Sequence, residues 1–173
     1  MQKELNFPAK IKDYFNFLRL ILDQKKTERE SELIQQKIYD YIMTKIYDKI
    51  YPIEHYKDNY FFQKSILFSW TEIKQYIKLD RKLLIGDFIE DVLKNMKLIE
   101  TEKSPRKKIL YMNKIFDSIE LLLQFNGLKN IDIDEMLNIL KYPFIKSKAT
   151  KIFSDLKFME LYIDEKKIKI YIK

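Results

Sequence analysis

The chain has 173 residues and a formal net charge of +7, with two Gly, four Pro, one His and no Cys. Without cysteine, disulfides and thiolate metal sites are excluded, and the single His55 cannot supply a histidine ligand set. This length indicates one domain with a core of its own. Few Gly and Pro beside abundant Ile, Leu, Lys and Glu predict an all-α, single-domain helical bundle.

The apolar runs are much shorter than the roughly 20 residues that cross a bilayer, and Met1-Gln2-Lys3-Glu4 does not lead into a signal-peptide core. We therefore expect a soluble, cytoplasmic protein. The basic residues are mostly Lys and are interleaved with Asp and Glu, so the positive charge indicates a solvated surface rather than a nucleic-acid-binding patch. A winged-helix-like nucleic-acid binder stays open as a lesser alternative.

Helical periodicity predicts the first three helices at residues 8–23, 27–51 and 57–70. The first would flank the bundle as a unit of residues 1–26, with the bundle itself at residues 27–162. The apolar positions of the first helix repeat at helical spacing: Ile11, Phe15, Leu18 and Leu22. Pro52 ends the second helix, and we expect Trp70, at the end of the third, in the core.

A fourth helix is predicted at residues 81–97, a loop at 99–104, and a fifth helix from Pro105, which fits a first helical turn, to Gly127, which fits a C-terminal cap. The spacing predicts which residues of the fifth helix face the core: Ile109, Met112, Phe116, Ile119 and Leu123. It leaves the charged residues outside: Lys107, Lys108, Asp117 and Glu120.

The sixth helix is predicted to begin with a capping box formed by Asp132 and Glu135, which places Asp134 in the first turn. Asn138 and Lys141 continue from Asp134 as a solvent-facing ridge. A neighbouring apolar flank would face the core: Met136, Leu137, Leu140 and Phe144. Pro143 should bend or divide this helix, because an interior proline costs about 3 kcal/mol. Strict alternation in residues 166–173 predicts a short strand in a tail of residues 163–173.

Several of these segments together resemble the vacuolar protein sorting nine domain, the catalytic unit of guanine nucleotide exchange factors for Rab-five-type GTPases. The resemblance covers residues 34–162. It is carried, in order, by residues 34–52, 65–70, Pro105-Arg106-Lys107-Lys108, Ile133-Asp134-Glu135-Met136-Leu137-Asn138, Tyr142, Lys146, Ser154-Asp155-Leu156 and Tyr162.

The resemblance implies a guanine nucleotide exchange factor that promotes GDP release from a Rab-family GTPase, bound in its nucleotide-free or GDP-bound form. Asp134 would be the catalytic residue, inserted near the partner's nucleotide site, and Glu135, Asn138 and Tyr142 would contact the partner. No metal or cofactor is expected. Peripheral association with endosomal membranes stays open. A hydrolase or transferase is not indicated, since a Gly-rich loop and a paired nucleophile and base are both lacking.

The chain departs from the family pattern at two places. Asn138 stands at the family's Pro, and the family's Gly-Glu-x-x-Tyr segment is not found after Tyr162. The alternative is therefore a catalytically inactive GTPase-binding or scaffold module. Ordinary structural roles also remain open for single residues. Asp134 could be an ordinary first-turn acid favoured by the helix dipole, Tyr142 a core aromatic, and Asn138 a plain surface residue.

Overall fold

The computed structural model describes residues 6–24, 27–72, 85–125, 127 and 133–163. Within these ranges the chain forms only α-helices: α1 (Phe7–Asp23), α2 (Glu28–Ile50), α3 (His55–Leu67), α4 (Ile85–Thr101), α5 (Pro105–Phe125), α6 (Ile133–Ser147) and α7 (Ile152–Tyr162). The all-α prediction is confirmed. The strand predicted for residues 166–173 lies outside the described residues. None of the described helices has the length and apolarity needed to span a bilayer.

The helix boundaries follow local sequence signals. Thr27 and Glu30 form a capping box at the start of α2, with the Thr27 hydroxyl accepting from the Glu30 amide at 3.4 Å. Pro52 follows the end of that helix by two residues. Gly127 adopts a φ of +86° just beyond α5, a conformation that suits glycine at a helix C-terminus. The predicted spans of α1 and α2 therefore agree closely with the structure.

Two boundary predictions are wrong, and one of them misplaces a tryptophan. Helix α4 continues to Thr101, so the connection to α5 is only residues 102–104. Helix α3 ends at Leu67, and Trp70 in the following turn is 71% exposed rather than in the core. Trp70 would face the core only if the helix continued to it, and α3 ends three residues earlier.

The buried face of α5 also differs from the predicted stripe. Of the predicted residues, Ile119 and Leu123 are buried but Phe116 is 37% exposed, and Lys108, Ile115 and Leu122 are buried in addition. Lys108, Ile115 and Leu122 stand seven residues apart, so the core-facing stripe is rotated by about one position from the one predicted. The prediction that Lys108 lies outside is wrong because an ion pair with α7 compensates its charge inside the protein.

Two clusters of buried side chains form the core. The larger joins α4, α5 and α6 through residues that include Val92, Met96, Ile115, Ile119 and Ile139. The smaller joins α2 and α7 through Met43, Ile50 and Phe158, with Ile11 of α1 packed against it. Aromatic rings surround Phe158 at centroid distances of 5.2 to 5.4 Å: Tyr47, Tyr51 and Tyr162. Ile152 of α7 packs against the larger cluster and Phe158 of α7 belongs to the smaller one, so α7 joins the two clusters into one packed unit.

Helix α3 buries a carboxylate to cap α7. Asp58 is only 6% exposed. Its Oδ1 accepts from the Phe153 amide at 2.7 Å and the Ser154 amide at 3.3 Å, and its Oδ2 accepts from the Ser154 hydroxyl. Because the first amides of a helix lack partners inside the helix, an acid from another helix can satisfy them as an N-cap would. This contact fixes α3 against α7.

Candidate functional site

The candidate site lies on α6, which is one helix from Ile133 to Ser147 despite Pro143 in its interior. The helix is therefore not divided at Pro143, whose side chain is fully buried. Ile139 and Leu140 bury the inner face of α6 in the larger core cluster. The main supports of α6 are α3, α4 and α5, and Phe144 meets Phe61 of α3 edge to face at 6.3 Å. Packing on three helices fixes the direction of its outer face.

Asp134 lies on that outer face, in the first turn of α6, and is exposed. No hydrogen bond or ion pair joins its carboxylate to another described side chain. The positive end of the helix dipole favours a negative charge at this position. The carboxylate is therefore held at a helix start, directed to solvent and available to an external partner.

The solvent-facing ridge predicted on α6 is present, and an apolar residue borders it. Asn138 is exposed and its Oδ1 accepts from Lys141 Nζ at 2.7 Å. Leu137, predicted to face the core, is 48% exposed; it stands three residues from both Asp134 and Leu140, at the boundary between the outer and inner faces of α6. The outer face of α6 thus combines a carboxylate, an amide, an ammonium group and an exposed leucine.

The side chains of two predicted site residues are outside the described part of the structure. Glu135 lies in α6, but its side chain, like the whole of Asp132, is not described. The predicted capping box is therefore outside the described residues. The contact expected of Glu135 with a partner remains a prediction.

Tyr142 is half-buried, on the side of α6 that faces the end of α3. Partial burial and then the negative charge of Glu72 raise the pKa of its hydroxyl. Lys146 Nζ lies 5.3 Å from the centre of the Tyr142 ring and also donates to the Ser69 carbonyl at 2.6 Å. The lysine therefore ties the turn after α3 to α6, and Tyr142 is bordered by that turn.

Sequence reasoning missed a buried ion pair behind this site. Lys108 Nζ lies 2.7 Å from Asp155 Oδ1, and both side chains are essentially inaccessible. Lys108 also donates to the Ile99 carbonyl at the end of α4, and Tyr51 donates to Asp155 Oδ1 at 2.8 Å. A small internal cavity of about 20 Å³ is lined by Asp155 together with Phe144 of α6. The pair thus joins α2, α4, α5 and α7 near the inner side of α6.

Burial dominates the titration of both partners of this pair. It lowers the pKa of Lys108 and raises the pKa of Asp155, while their mutual attraction opposes both changes. The seven-residue spacing of Lys108 with Ile115 and Leu122 is the sequence signal that could have placed Lys108 inside.

A comparison with known protein families matches residues 89–171 to the vacuolar sorting protein 9 (VPS9) domain. Residues 89–171 are thus similar to the VPS9 domain, in agreement with the family resemblance of the sequence. The match takes in most of α4, then α5, α6 and α7, and therefore contains Asp134, Asn138 and Tyr142. A search of curated proteins finds no match.

The extent of the VPS9 match bears on two earlier expectations. It begins at residue 89, so the resemblance of residues 34–52 and 65–70 to the family lies outside it and stays a prediction. It runs to residue 171, so it includes most of the tail in which the family's Gly-Glu-x-x-Tyr segment was not found. The segment after α7 is therefore part of the VPS9 similarity, although residues 164–173 are outside the described structure.

A VPS9 domain implies guanine nucleotide exchange on a small GTPase. Nucleotide exchange makes and breaks no covalent bond. It requires a surface of the exchange factor that competes with the nucleotide for the nucleotide site of the GTPase. Within the described residues, no group of three or more His, Cys, Asp or Glu side chains comes together as a metal site. The outer face of α6 carries an exposed carboxylate within the VPS9 match.

Proposed function

We propose that this protein is a guanine nucleotide exchange factor for a Rab-five-type GTPase, with Asp134 as the residue that promotes GDP release. The observation that carries the proposal is the exposed carboxylate of Asp134 in the first turn of α6, inside the VPS9 match. Glu135, Asn138 and Tyr142 are proposed to contact the partner around it.

To promote release, the exchange factor must bind the nucleotide-free GTPase more tightly than the nucleotide-bound GTPase. A nucleotide dissociation constant near 1 pM corresponds to about 16 kcal/mol of binding free energy. By linkage, each tenfold weakening of nucleotide requires about 1.4 kcal/mol of preference for the nucleotide-free form. The exchange factor must therefore make contacts in the nucleotide-free complex that bound nucleotide would prevent.

A carboxylate can make such a contact. In the partner's nucleotide site it would occupy the position of a phosphate beside the lysine that binds phosphates, and would disfavour Mg²⁺ coordination by the nucleotide. At 4 Å, two unit charges near a protein surface interact by about 4 kcal/mol. Such an interaction could weaken nucleotide binding by roughly three powers of ten, which is a substantial part of the weakening that GDP release requires.

The rigidity of α6 supports this role. An inserted side chain acts efficiently only if the complex does not have to order it first. Asp134 lies on a helix that three other helices fix in place, and the Lys146 contact with Ser69 at 2.6 Å holds the far end of that helix. The carboxylate is thus positioned before the partner arrives.

The test is release of a fluorescent GDP analogue from a panel of Rab-five-type GTPases, with and without the full chain. We expect accelerated release from at least one member and loss of that acceleration in Asp134→Ala. Asp13→Ala is the matched control, because Asp13 is also an exposed helical acid but lies on α1, which packs on α2 and α7. Absence of acceleration from every GTPase of the panel would remove the proposed function.

One observation favours a second candidate, a GTPase-binding module without exchange activity. Asn138 stands where the family pattern has Pro, and its amide bonds to Lys141 on the surface of α6. If that difference prevents Asp134 from reaching the nucleotide site of the GTPase, the protein would bind a GTPase without releasing GDP. A pull-down with nucleotide-free GTPase that succeeds while release stays at the uncatalysed rate would select this candidate.

A further inference from the structure

We propose that Trp70 is an apolar anchor for the GTPase, on a turn beside α6 that extends the partner-binding surface beyond the Asp134 ridge. This inference rests on the proposed function and adds a specificity-determining residue to it. The turn comprises residues 68–72, directly after α3, and it meets α6 next to Tyr142.

Trp70 is the chain's single tryptophan and is 71% exposed. Tryptophan is a large apolar side chain that proteins usually bury at least in part, so a mostly exposed one within a group of exposed apolar residues indicates a place where a partner can bind. Neighbouring residues add apolar surface, since Leu67 is 59% and Phe68 40% exposed. Together they form an exposed apolar patch at the end of α3.

The turn holds Trp70 outward through its own hydrogen bonds. Thr71 is buried, and both its amide and its hydroxyl donate to the Phe68 carbonyl, at 3.0 and 2.7 Å. The Ser69 amide donates to the Ile66 carbonyl at 3.1 Å. With the residues on either side anchored in this way, the backbone at Trp70 is fixed, and little conformational entropy would be lost when a partner covers the ring.

One hydrogen bond and one charge effect place this turn beside the C-terminal part of α6. Lys146 Nζ of α6 donates to the Ser69 carbonyl at 2.6 Å, and Ser69 is adjacent to Trp70 in the chain. The charge of Glu72 acts on Tyr142, raising the pKa of its hydroxyl. Trp70 therefore lies between Ser69, which is hydrogen-bonded to α6, and Glu72, whose charge acts on Tyr142, so the apolar patch is close to the part of α6 that carries Tyr142 and Lys146.

The occupant that fits is the same GTPase that Asp134 engages, through an apolar surface of the GTPase that faces the C-terminal end of α6. Buried tryptophans are among the side chains that contribute most to protein interfaces, especially beside polar groups that set orientation. Here the apolar patch would supply affinity and Asp134 would supply the effect on the nucleotide. The two roles predict different kinetic defects, because only contacts specific to the nucleotide-free complex raise the maximal rate.

The first experiment compares exchange kinetics of wild-type, Trp70→Ala and Phe17→Ala proteins over a range of protein concentrations. Phe17 is the matched control, since it is a 62% exposed aromatic residue on α1. We expect Trp70→Ala to raise the half-saturating concentration at least about 30-fold with the maximal rate nearly unchanged, and Phe17→Ala to behave as wild type. Unchanged half-saturation, or a loss confined to the maximal rate, overturns the inference. Thermal melting shows that each variant is folded.

The second experiment observes binding directly and separates the two proposals. With 5-fluorotryptophan in place of Trp70, the chain gives one ¹⁹F resonance, and nucleotide-free GTPase should shift or broaden it. If GTPase binds by pull-down but that resonance is unaffected, the inference is overturned while the proposed function stands. If the resonance shifts but GDP release is not accelerated, the anchor is supported and exchange activity fails. If no GTPase binds, both are overturned.

Discussion

Lys108 and Asp155 form an ion pair with an Nζ–Oδ1 distance of 2.7 Å in the interior of the protein, where neither side chain is accessible to water. The pair connects the first turn of α5 to the first turn of α7. Each charge is costly to bury alone, so each residue depends on the other. This dependence fixes how α5 and α7, the helices before and after α6 in the chain, can be placed relative to each other.

Removing one member of this pair should destabilise the protein strongly. We expect Lys108→Met to lower the free energy of unfolding by about 3–5 kcal/mol, because it leaves the Asp155 carboxylate buried without its cation. Lys108→Met/Asp155→Asn should recover much of that loss, since an amide still accepts from Tyr51 and carries no charge. Urea unfolding measures both. A double variant no more stable than Lys108→Met would contradict this account of the pair.

Removing the cap that α3 provides for α7 should have a smaller effect. Asp58→Ala leaves the Phe153 and Ser154 amides without their acceptor, and we expect a loss of about 2 kcal/mol. Asp117→Ala, at an exposed position on α5, should change stability by less than about 0.5 kcal/mol. The comparison is made by urea unfolding, and equal effects of the two substitutions would exclude a capping role for Asp58.

The tyrosines next to the ion pair predict a loss of stability at alkaline pH. Burial, and then the negative charge of Asp155, raise the pKa of Tyr47 from 10.0 to about 12 and also raise that of Tyr51. Between these pH values the unfolded chain releases protons that the folded chain retains, so the free energy of unfolding falls as pH rises. The stabilisation is complete below pH 10 and is lost as pH rises toward 12.

Urea unfolding between pH 8 and pH 12 tests this prediction in the wild type and in Tyr47→Phe. The variant lacks one of the two hydroxyls, so its stability should fall less steeply with pH. Tyr56→Phe is the control, because Tyr56 is 84% exposed and lies outside the buried cluster that contains Tyr47 and Tyr51. A slope that Tyr47→Phe leaves unchanged would show that this hydroxyl does not control alkaline unfolding.

The sequence predicted helices well wherever local chemistry decides the outcome. Thr27 with Glu30, Pro52 and Pro105 mark helix ends through contacts within a few residues, and those ends were found close to their predicted positions. The outward direction of Asp134 and Asn138 followed from spacing along a single helix. Such predictions succeed because they need no knowledge of how the helices pack.

Predictions failed where distant residues decide the outcome. The position of Lys108 depends on Asp155, 47 residues further along the chain, and sequence periodicity assigned a lysine to the outside. Asp58 is buried because it caps a helix about a hundred residues away. Trp70 and Leu137 are apolar and were expected inside, yet packing leaves both exposed beside the proposed site. Surface apolar residues of this kind became visible only in the folded structure.

The most direct test of the central claim uses Asp134→Asn, which keeps the size of the side chain and removes its charge. With a GTPase that responds to the wild-type chain, we measure release of fluorescent GDP at saturating exchange factor. We expect the maximal rate to fall at least about 100-fold, equivalent to about 3 kcal/mol of lost charge interaction, while the melting temperature falls by no more than about 4 °C through the lost interaction with the helix dipole. A maximal rate equal to that of the wild type would contradict the proposed role of the Asp134 carboxylate.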